Sequence, residues 1–272
     1  SGWEPSRQAR RESVFSLSNG HIGWRGTLDE GDPCETPGTY LNGLFEHHPM
    51  PYAEDGYGYP EHGETVINAP DGKVIRLVVG DEPFDIREGR LGSHEQHLDF
   101  RAGTLRREVT WTSPSGDTVR VESTRLVSLT QRAIAAVEYR VTAISGALDV
   151  TVLSEIVANE PLPDVHPDER VMEPLKHPFE PVAHIAATTG ATLLHRTKRS
   201  RIGVAVGMEH VVDGDGHTVG TEASEDVART TVTARLAEGG SIRVVKIVGH
   251  EWSDDLTDAA LRDRVDAAVA TA

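Results

Sequence analysis

The sequence predicts an all-β fold of antiparallel sheets packed face to face. Three observations carry this. From about residue 74 to 249, short segments alternate apolar and polar residues with period two. Compact turn sequences separate them. No segment of helical period intervenes, which rules out a parallel sheet with crossover helices.

In chain order, Leu105, Arg107, Val109 and Trp111 share one side of a strand, with Arg106, Glu108 and Thr110 on the other. Pro114-Ser115-Gly116-Asp117 turns the chain, and Val119 and Val121 then alternate with Arg120 and Glu122. That is a hairpin by period and by turn chemistry. Val137, Tyr139 and Val141 alternate with Glu138 and Arg140, and Leu148, Val150 and Val152 follow the turn at Ser145-Gly146. Segments 182–195, 201–212, 229–237 and 241–249 read as further strands, joined at Asp213-Gly214-Asp215-Gly216 and Glu238-Gly239-Gly240. Polar residues at every second position fit sheets with one wet face.

Three regions break this rhythm. Residues 1–70 are turn-rich, with Asn19-Gly20, Asn42-Gly43 and Pro70-Asp71-Gly72. Residues 159–181 carry Pro161, Pro163, Pro167, Pro174, Pro178 and Pro181, too proline-dense for a central strand, and read as a long loop. Residues 253–272 turn helical, with Leu256, Ala260, Leu261, Val265, Ala268 and Val269 on one face and Ser253 as the expected cap. Asp254 and Asp255 suit the positive end of the helix dipole. The chain opens at Ser1 without Met and closes in an Ala-rich run with no stop signal, so both ends are expected to lie inside something longer. The expected division is a sandwich over 1–252 and the start of a linker helix over 253–272.

Composition excludes several roles. A formal net charge of -16 repels phosphate backbones and anionic lipids, which argues against nucleic-acid and membrane partners. No apolar run reaches the roughly 18 residues of a spanning helix. The single cysteine, Cys34, allows no internal disulfide, and no secretion signal is seen, which fits a cytoplasmic protein.

Candidate chemistry is sparse. The 43 Asp and Glu offer no pair that stands out as an acid and base. His47-His48 would point to opposite faces of a strand, and His94 and His97 share a face only on a helix. No metal-ligand spacing occurs. Gly20, Gly23 and Gly26 lack the following Lys-Ser/Thr of a phosphate loop and read as turn or close-packing positions. Neither a catalytic residue nor a cofactor or metal ligand is assigned. The most distinctive cluster is residues 40–59, which holds Tyr40, Phe45, Tyr52, Tyr57 and Tyr59, five of the fourteen aromatic residues. Asn42, Glu46, Glu54 and Asp55 lie among them, and Pro49, Pro51 and Pro60 stiffen the segment. Flat rings with polar tips on a stiff loop suit a domain interface first, then a sugar contact; the alternative is a loop folded onto its own sandwich.

Several stretches carry a resemblance, in order along nearly the whole chain. They are Glu12 to Gly26 (ESVFSLSNGHIGWRG), Gly38 to Glu46 (GTYLNGLFE), Asn68 to Lys73 (NAPDGK), Asp81 to Asp85 (DEPFD), His195 to Lys198 (HRTK) and Val244 to Lys246 (VVK). Together they resemble the N-terminal part of glycoside hydrolase family 65; Ser18 departs where glycine is more usual. The resemblance implies a supersandwich of the galactose mutarotase type, then a helical linker to an (α/α)6 barrel. It implies a parent enzyme similar to trehalose, maltose and kojibiose phosphorylases, or to hydrolases, with the catalytic Glu and the site for the co-substrate inorganic phosphate on that barrel. This chain's own barrel would be its partner, the disaccharide would be met through the full-length enzyme, and the parent is expected to be a homodimer. The domain itself would be non-catalytic, packing against and roofing the barrel. Two other readings are a free-standing carbohydrate-binding module and a mutarotase-like epimerase using a histidine and a carboxylate.

Overall fold

A computed structural model describes residues 3–35, 37–50, 56–161 and 176–272. Two antiparallel sheets dominate. The larger has eight strands, in spatial order β13 (Phe179–Ala186), β14 (Gly190–Thr197), β15 (Gly203–Asp213), β18 (Ser241–Ser253), β11 (Ile134–Ala143), β10 (Thr118–Val127), β9 (Thr104–Thr112) and β8 (Arg90–Asp99). The smaller runs β16 (Thr218–Ala223), β17 (Val227–Leu236), β12 (Leu148–Val157), β6 (Ile75–Val79) and β7 (Glu82–Pro83). Their inner faces meet in one apolar cluster, in which Val109, Trp111, Val121 and Val141 of the large sheet join Leu77, Val79, Val150 and Val152 of the small one. Burial strictly alternates along β10, as the period-two pattern requires.

The N-terminal region caps this sandwich. A short helix α1 (Gln8–Val14) precedes a three-stranded sheet, β1 (Leu17–Ser18), β2 (Ile22–Trp24) and β3 (Thr39–Leu41). A separate hairpin, β4 (Phe45–Pro49) with β5 (His62–Val66), forms an arm of its own.

Several expectations need correction. The turn-rich reading of 1–70 missed α1. The segment 182–195 is two strands, not one: it folds back after Ala186, and Ile185 pairs with Thr192. The proline-rich loop ends earlier than expected, because Phe179, Glu180 and Pro181 belong to β13. Pro181 is tolerated there because β13 is an edge strand and the register shifts between Pro181 and Ala183. Most of that loop, residues 162–175, lies outside the described residues. Strands β8 and β16 had not been read at all.

The C-terminal helix is present but starts later. Strand β18 continues through Ser253, which pairs with Gly203; its Oγ accepts from the Asp255 and Leu256 N–H groups at 3.1 and 3.0 Å, capping a turn rather than the helix. Helix α2 (Asp258–Ala270) is capped instead by Thr257, whose Oγ1 accepts from the Ala260 N–H at 3.3 Å. Leu261, Val265 and Val269 are its buried residues, whereas Ala260 is exposed. The helix lies on the outer face of the large sheet, where small residues make room. A Cβ on Gly249 would stand 2.7 Å from Val269 and 2.9 Å from Val265. Thr192 Oγ1 donates to Asp266 Oδ1 at 2.6 Å, and Arg264 meets Glu251 at 3.1 Å, fixing the helix across β14 and β18.

Candidate functional site

The arm β4–β5 grows from a turn that cannot move freely. Gly43 has φ 90°, and a Cβ there would come within 2.4 Å of the Trp252 ring. Trp252 Nε1 donates to the Asn42 carbonyl at 2.9 Å. Tyr40 sits half-buried on β3, and Phe45 packs against the core edge with its ring 5.3 Å from that of His47.

Glu46 is the fastener. It is 2% exposed and its carboxylate accepts three backbone N–H groups: His47 at 2.9 Å, Arg199 at 3.0 Å and Ser200 at 2.7 Å. Ser200 Oγ also donates to the Phe45 carbonyl at 2.8 Å. The arm is thereby bolted to the β14–β15 turn. A buried carboxylate is kept only where donors satisfy it, and these do. The far end of the arm is different: Tyr57 is fully exposed and Tyr59 is 56% exposed. Thus Tyr40, Asn42, Phe45 and Glu46 form a packed base, and Tyr57 and Tyr59 stand at the tip. Tyr52, Glu54 and Asp55 lie outside the described residues.

A second feature was not anticipated. Arg107 and Arg125 reach into the interior from β9 and β10 and hold the loop before β3. Arg107 binds Glu30 through two nitrogens at 2.7 and 2.9 Å and Asp29 at 2.9 Å. Arg125 Nε donates to Asp29 Oδ1 at 2.8 Å, its NH1 donates to the Thr27 carbonyl at 2.7 Å, and Ser123 Oγ donates to Asp29 Oδ2 at 2.7 Å. Burial alone would raise the Asp29 pKa; Arg125 and Arg107, with Ser123, outweigh it and hold the carboxyl at about 2. Arg107 Nε also donates to His94 Nε2 at 3.1 Å. Arginine can only donate, so His94 is neutral with its proton on Nδ1. Burial, then Arg107, pushes its pKa down to about 3. The signal was present in the sequence: Arg107, Ser123 and Arg125 occupy the same strand side as Val109, Val121 and Val127.

The stretches that carried the family resemblance are mostly interior fasteners too. Lys73 Nζ donates to Asp71 Oδ2 at 2.5 Å and to Thr39 Oγ1 at 3.0 Å, all three buried. Gly72 between them has Val248 2.5 Å from where a Cβ would stand. Lys246 is fully buried and donates to the carbonyls of Glu155 at 2.6 Å and Val74 at 3.3 Å. Burial lowers its pKa to about 7. His195 Nε2 lies 3.0 Å from Asp226 Oδ1. These contacts bind strands and loops to one another.

A depression of about 570 Å³ lies on the outer face of the large sheet, among Glu95, His97, Arg106, Glu108, Glu122 and Arg140. It is polar and carries no aromatic ring for a sugar to stack on. His94 and His97 lie on strand β8 and face opposite ways, as do His47 and His48 on β4. Among the described residues no group of three or more His, Cys, Asp or Glu could hold a metal ion. No helix among them is long and apolar enough to cross a membrane.

The family model "Glycosyl hydrolase family 65, N-terminal domain" matches residues 1–272. The chain belongs to glycosyl hydrolase family 65. It is 52% identical over 257 residues to an uncharacterized glycosyl hydrolase of Mycobacterium tuberculosis, covering 94% of this chain and 33% of that protein. It is 30% identical over 258 residues to the alpha,alpha-trehalose phosphorylase of Thermoanaerobacter brockii, covering 93% of this chain and 33% of the enzyme. A solved kojibiose phosphorylase candidate from the human microbiome superposes with a TM-score of 0.86 over 99% of this chain and 34% of that one, at 18% identity, which shows a shared fold. The chain thus spans about a third of the length of the relatives it matches.

Proposed function

We propose that this family 65 N-terminal domain is non-catalytic and supports a catalytic domain that cleaves an α-linked glucosyl disaccharide of the trehalose, maltose or kojibiose type. The observation that carries this is the 30% identity to a trehalose phosphorylase over 93% of the chain, combined with coverage of 33% of that enzyme. The geometry agrees. Most described carboxylates fasten the fold or stand in solvent; Glu160 differs, its pKa raised to about 7 by burial and by Asp71. We place the acid at the leaving oxygen in the remaining two-thirds of the enzyme.

In phosphorolysis, an oxygen of inorganic phosphate attacks the anomeric carbon as the glycosidic C–O bond breaks. The leaving oxygen takes the proton of that acid, and the anomeric centre inverts. Phosphate is then the co-substrate, and the domain itself needs no cofactor. The arm β4–β5 is suited to roofing or packing on the catalytic domain, since its base is rigid and its tip presents Tyr57 and Tyr59. We place the enzyme in the cytoplasm, as a homodimer.

The test is an assay of the full-length enzyme on trehalose, maltose and kojibiose with and without phosphate. Glucose 1-phosphate formed only with phosphate supports the reading. Free glucose alone, at a rate independent of phosphate, makes the parent a hydrolase. Turnover of none of the three contradicts the substrate class. In the same enzyme, Tyr57→Ala combined with Tyr59→Ala should weaken activity or thermal stability if the tip meets the catalytic domain. No change in either removes the roofing role.

A further inference from the structure

One apolar groove has no occupant among the described residues. It lies at the C-terminal end of α2, between Val269 and Ala270 on one side and Ile185, Ala187, Gly190 and Gly207 on the other. Its volume is about 220 Å³. That is below the roughly 300–1,000 Å³ of small-molecule sites, and closer to the space for a large side chain. Beside it, β13 is the sheet's edge strand, and Val182 and Ile185 are 41% and 43% exposed on it. Pro181 and the register shift beside it already blunt β13 as a pairing edge, so what stays uncovered is the side-chain surface at Ile185. Here the rim charges, Asp266 and Glu209, flank the groove without filling it.

Connectivity says what covers it. The matched family model is an N-terminal domain, and the relatives are about three times longer than this chain, so their remaining length follows the counterpart of α2. Val269 and Ala270, the last helical residues, themselves line the groove. A segment that follows Ala272 is therefore held at the groove mouth at high effective concentration. We propose that this groove is the docking site for the segment immediately following Ala272, which inserts an apolar side chain between Ile185 and Val269 and so fixes how α2 leads into the rest of the enzyme. This rests on the reading that a catalytic domain follows the helix. A second copy is the competing occupant, and a product of dimer mass would reveal it.

The experiment uses the full-length enzyme carrying Ile185→Cys in a background with Cys34 and every other cysteine replaced by serine, labelled with a benzophenone maleimide and irradiated. The cross-linked peptide is identified by mass spectrometry, and the product's mass is read on a denaturing gel. A cross-link at monomer mass to residues beyond Ala272 is the expected result. A cross-link to residues 162–175, a product of dimer mass, or no cross-link overturns the proposal. Should the variant not fold, radical footprinting of the unmodified enzyme decides. Labelling of Ile185 should be lost while Leu129, 80% exposed, is labelled strongly. Labelling of Ile185 in proportion to its 43% exposure overturns the proposal. Disaccharide turnover, measured on the same samples, separates the two readings. Turnover with a cross-link elsewhere sinks only the groove, and a cross-link as expected without turnover sinks only the substrate class.

Discussion

The two faces of the large sheet treat charge in opposite ways. On the inner face, Arg107 and Arg125 are 5% and 3% exposed, and their guanidinium groups meet Asp29 and Glu30 at hydrogen-bond distance. On the outer face, Glu95 stands directly opposite Glu108, and Glu108 opposite Glu122, on three neighbouring strands. Arg120 stands 3.6 Å from Glu122 of this ladder, and on the neighbouring strands Arg243 meets Glu138 at 2.6 Å. Inside, a charge survives only if it is matched, because the low dielectric makes an unmatched one costly. Outside, water screens like charges well enough for the ladder to be tolerated. Most of these carboxylates are thus locked or solvated; Glu160 is neither, since burial and the nearby Asp71 raise its carboxyl to about 7.

The comparison can be broken most severely from the inside. Asp29→Ala leaves two buried guanidinium groups short of a partner and should destabilise the enzyme by about 3–5 kcal/mol. Urea unfolding measures it, and a loss as small as that of a surface substitution would deny that the cluster fastens the N-terminal loop. Glu46→Ala leaves three backbone N–H groups of the arm's base without their acceptor, for a loss of about 2–3 kcal/mol. Faster hydrogen exchange at Arg199 and Ser200 should accompany it.

Lys246 sharpens the contrast through pH. Its folded pKa is near 7 against 10.5 when free, because burial disfavours the ammonium. Between those values the unfolded chain binds more protons, so stability should rise with pH from 7 toward 10.5. Lys246→Met should flatten that rise, read as thermal midpoints of both proteins across the range. An unchanged slope would mean that Lys246 is not the group responsible. The smallest effect is expected outside. Glu95→Gln with Glu108→Gln relieves the like-charge ladder and should stabilise by about 0.2–1 kcal/mol, more at low salt than at high.

What the sequence made legible follows from where the partners lie. Strands β9 to β12 were readable because one face of each is apolar and their turns carry Gly, Pro, Asp or Ser. Strand β8 was not, since only His94 of its ten residues is buried and no apolar alternation exists. Strand β16 has no buried residue at all. The β13–β14 hairpin was missed because Ala187-Thr188-Thr189 carries no strong turn residue ahead of Gly190. Ser253 looked like a helix cap because its Oγ does accept the next N–H groups, those of Asp255 and Leu256, but they belong to a turn and the helix starts only at Asp258. In the 40–59 segment the aromatic cluster was visible, but the role of Glu46 was not. Its donors Arg199 and Ser200 are 153 and 154 residues away in sequence. Asp29 and Arg125 are likewise 96 residues apart, so only the strand side of Arg107, Ser123 and Arg125 hinted at them.

The central claim, that no carboxylate of this domain takes part in glycoside cleavage, is tested most directly on the outer-face groove. Full-length enzyme carrying Glu95→Gln, Glu108→Gln and Glu122→Gln should keep the wild-type kcat for disaccharide phosphorolysis and the wild-type pH profile. A fall of about 10²–10⁴-fold in kcat with the thermal midpoint unchanged, the size expected for losing a general acid or base, would contradict it.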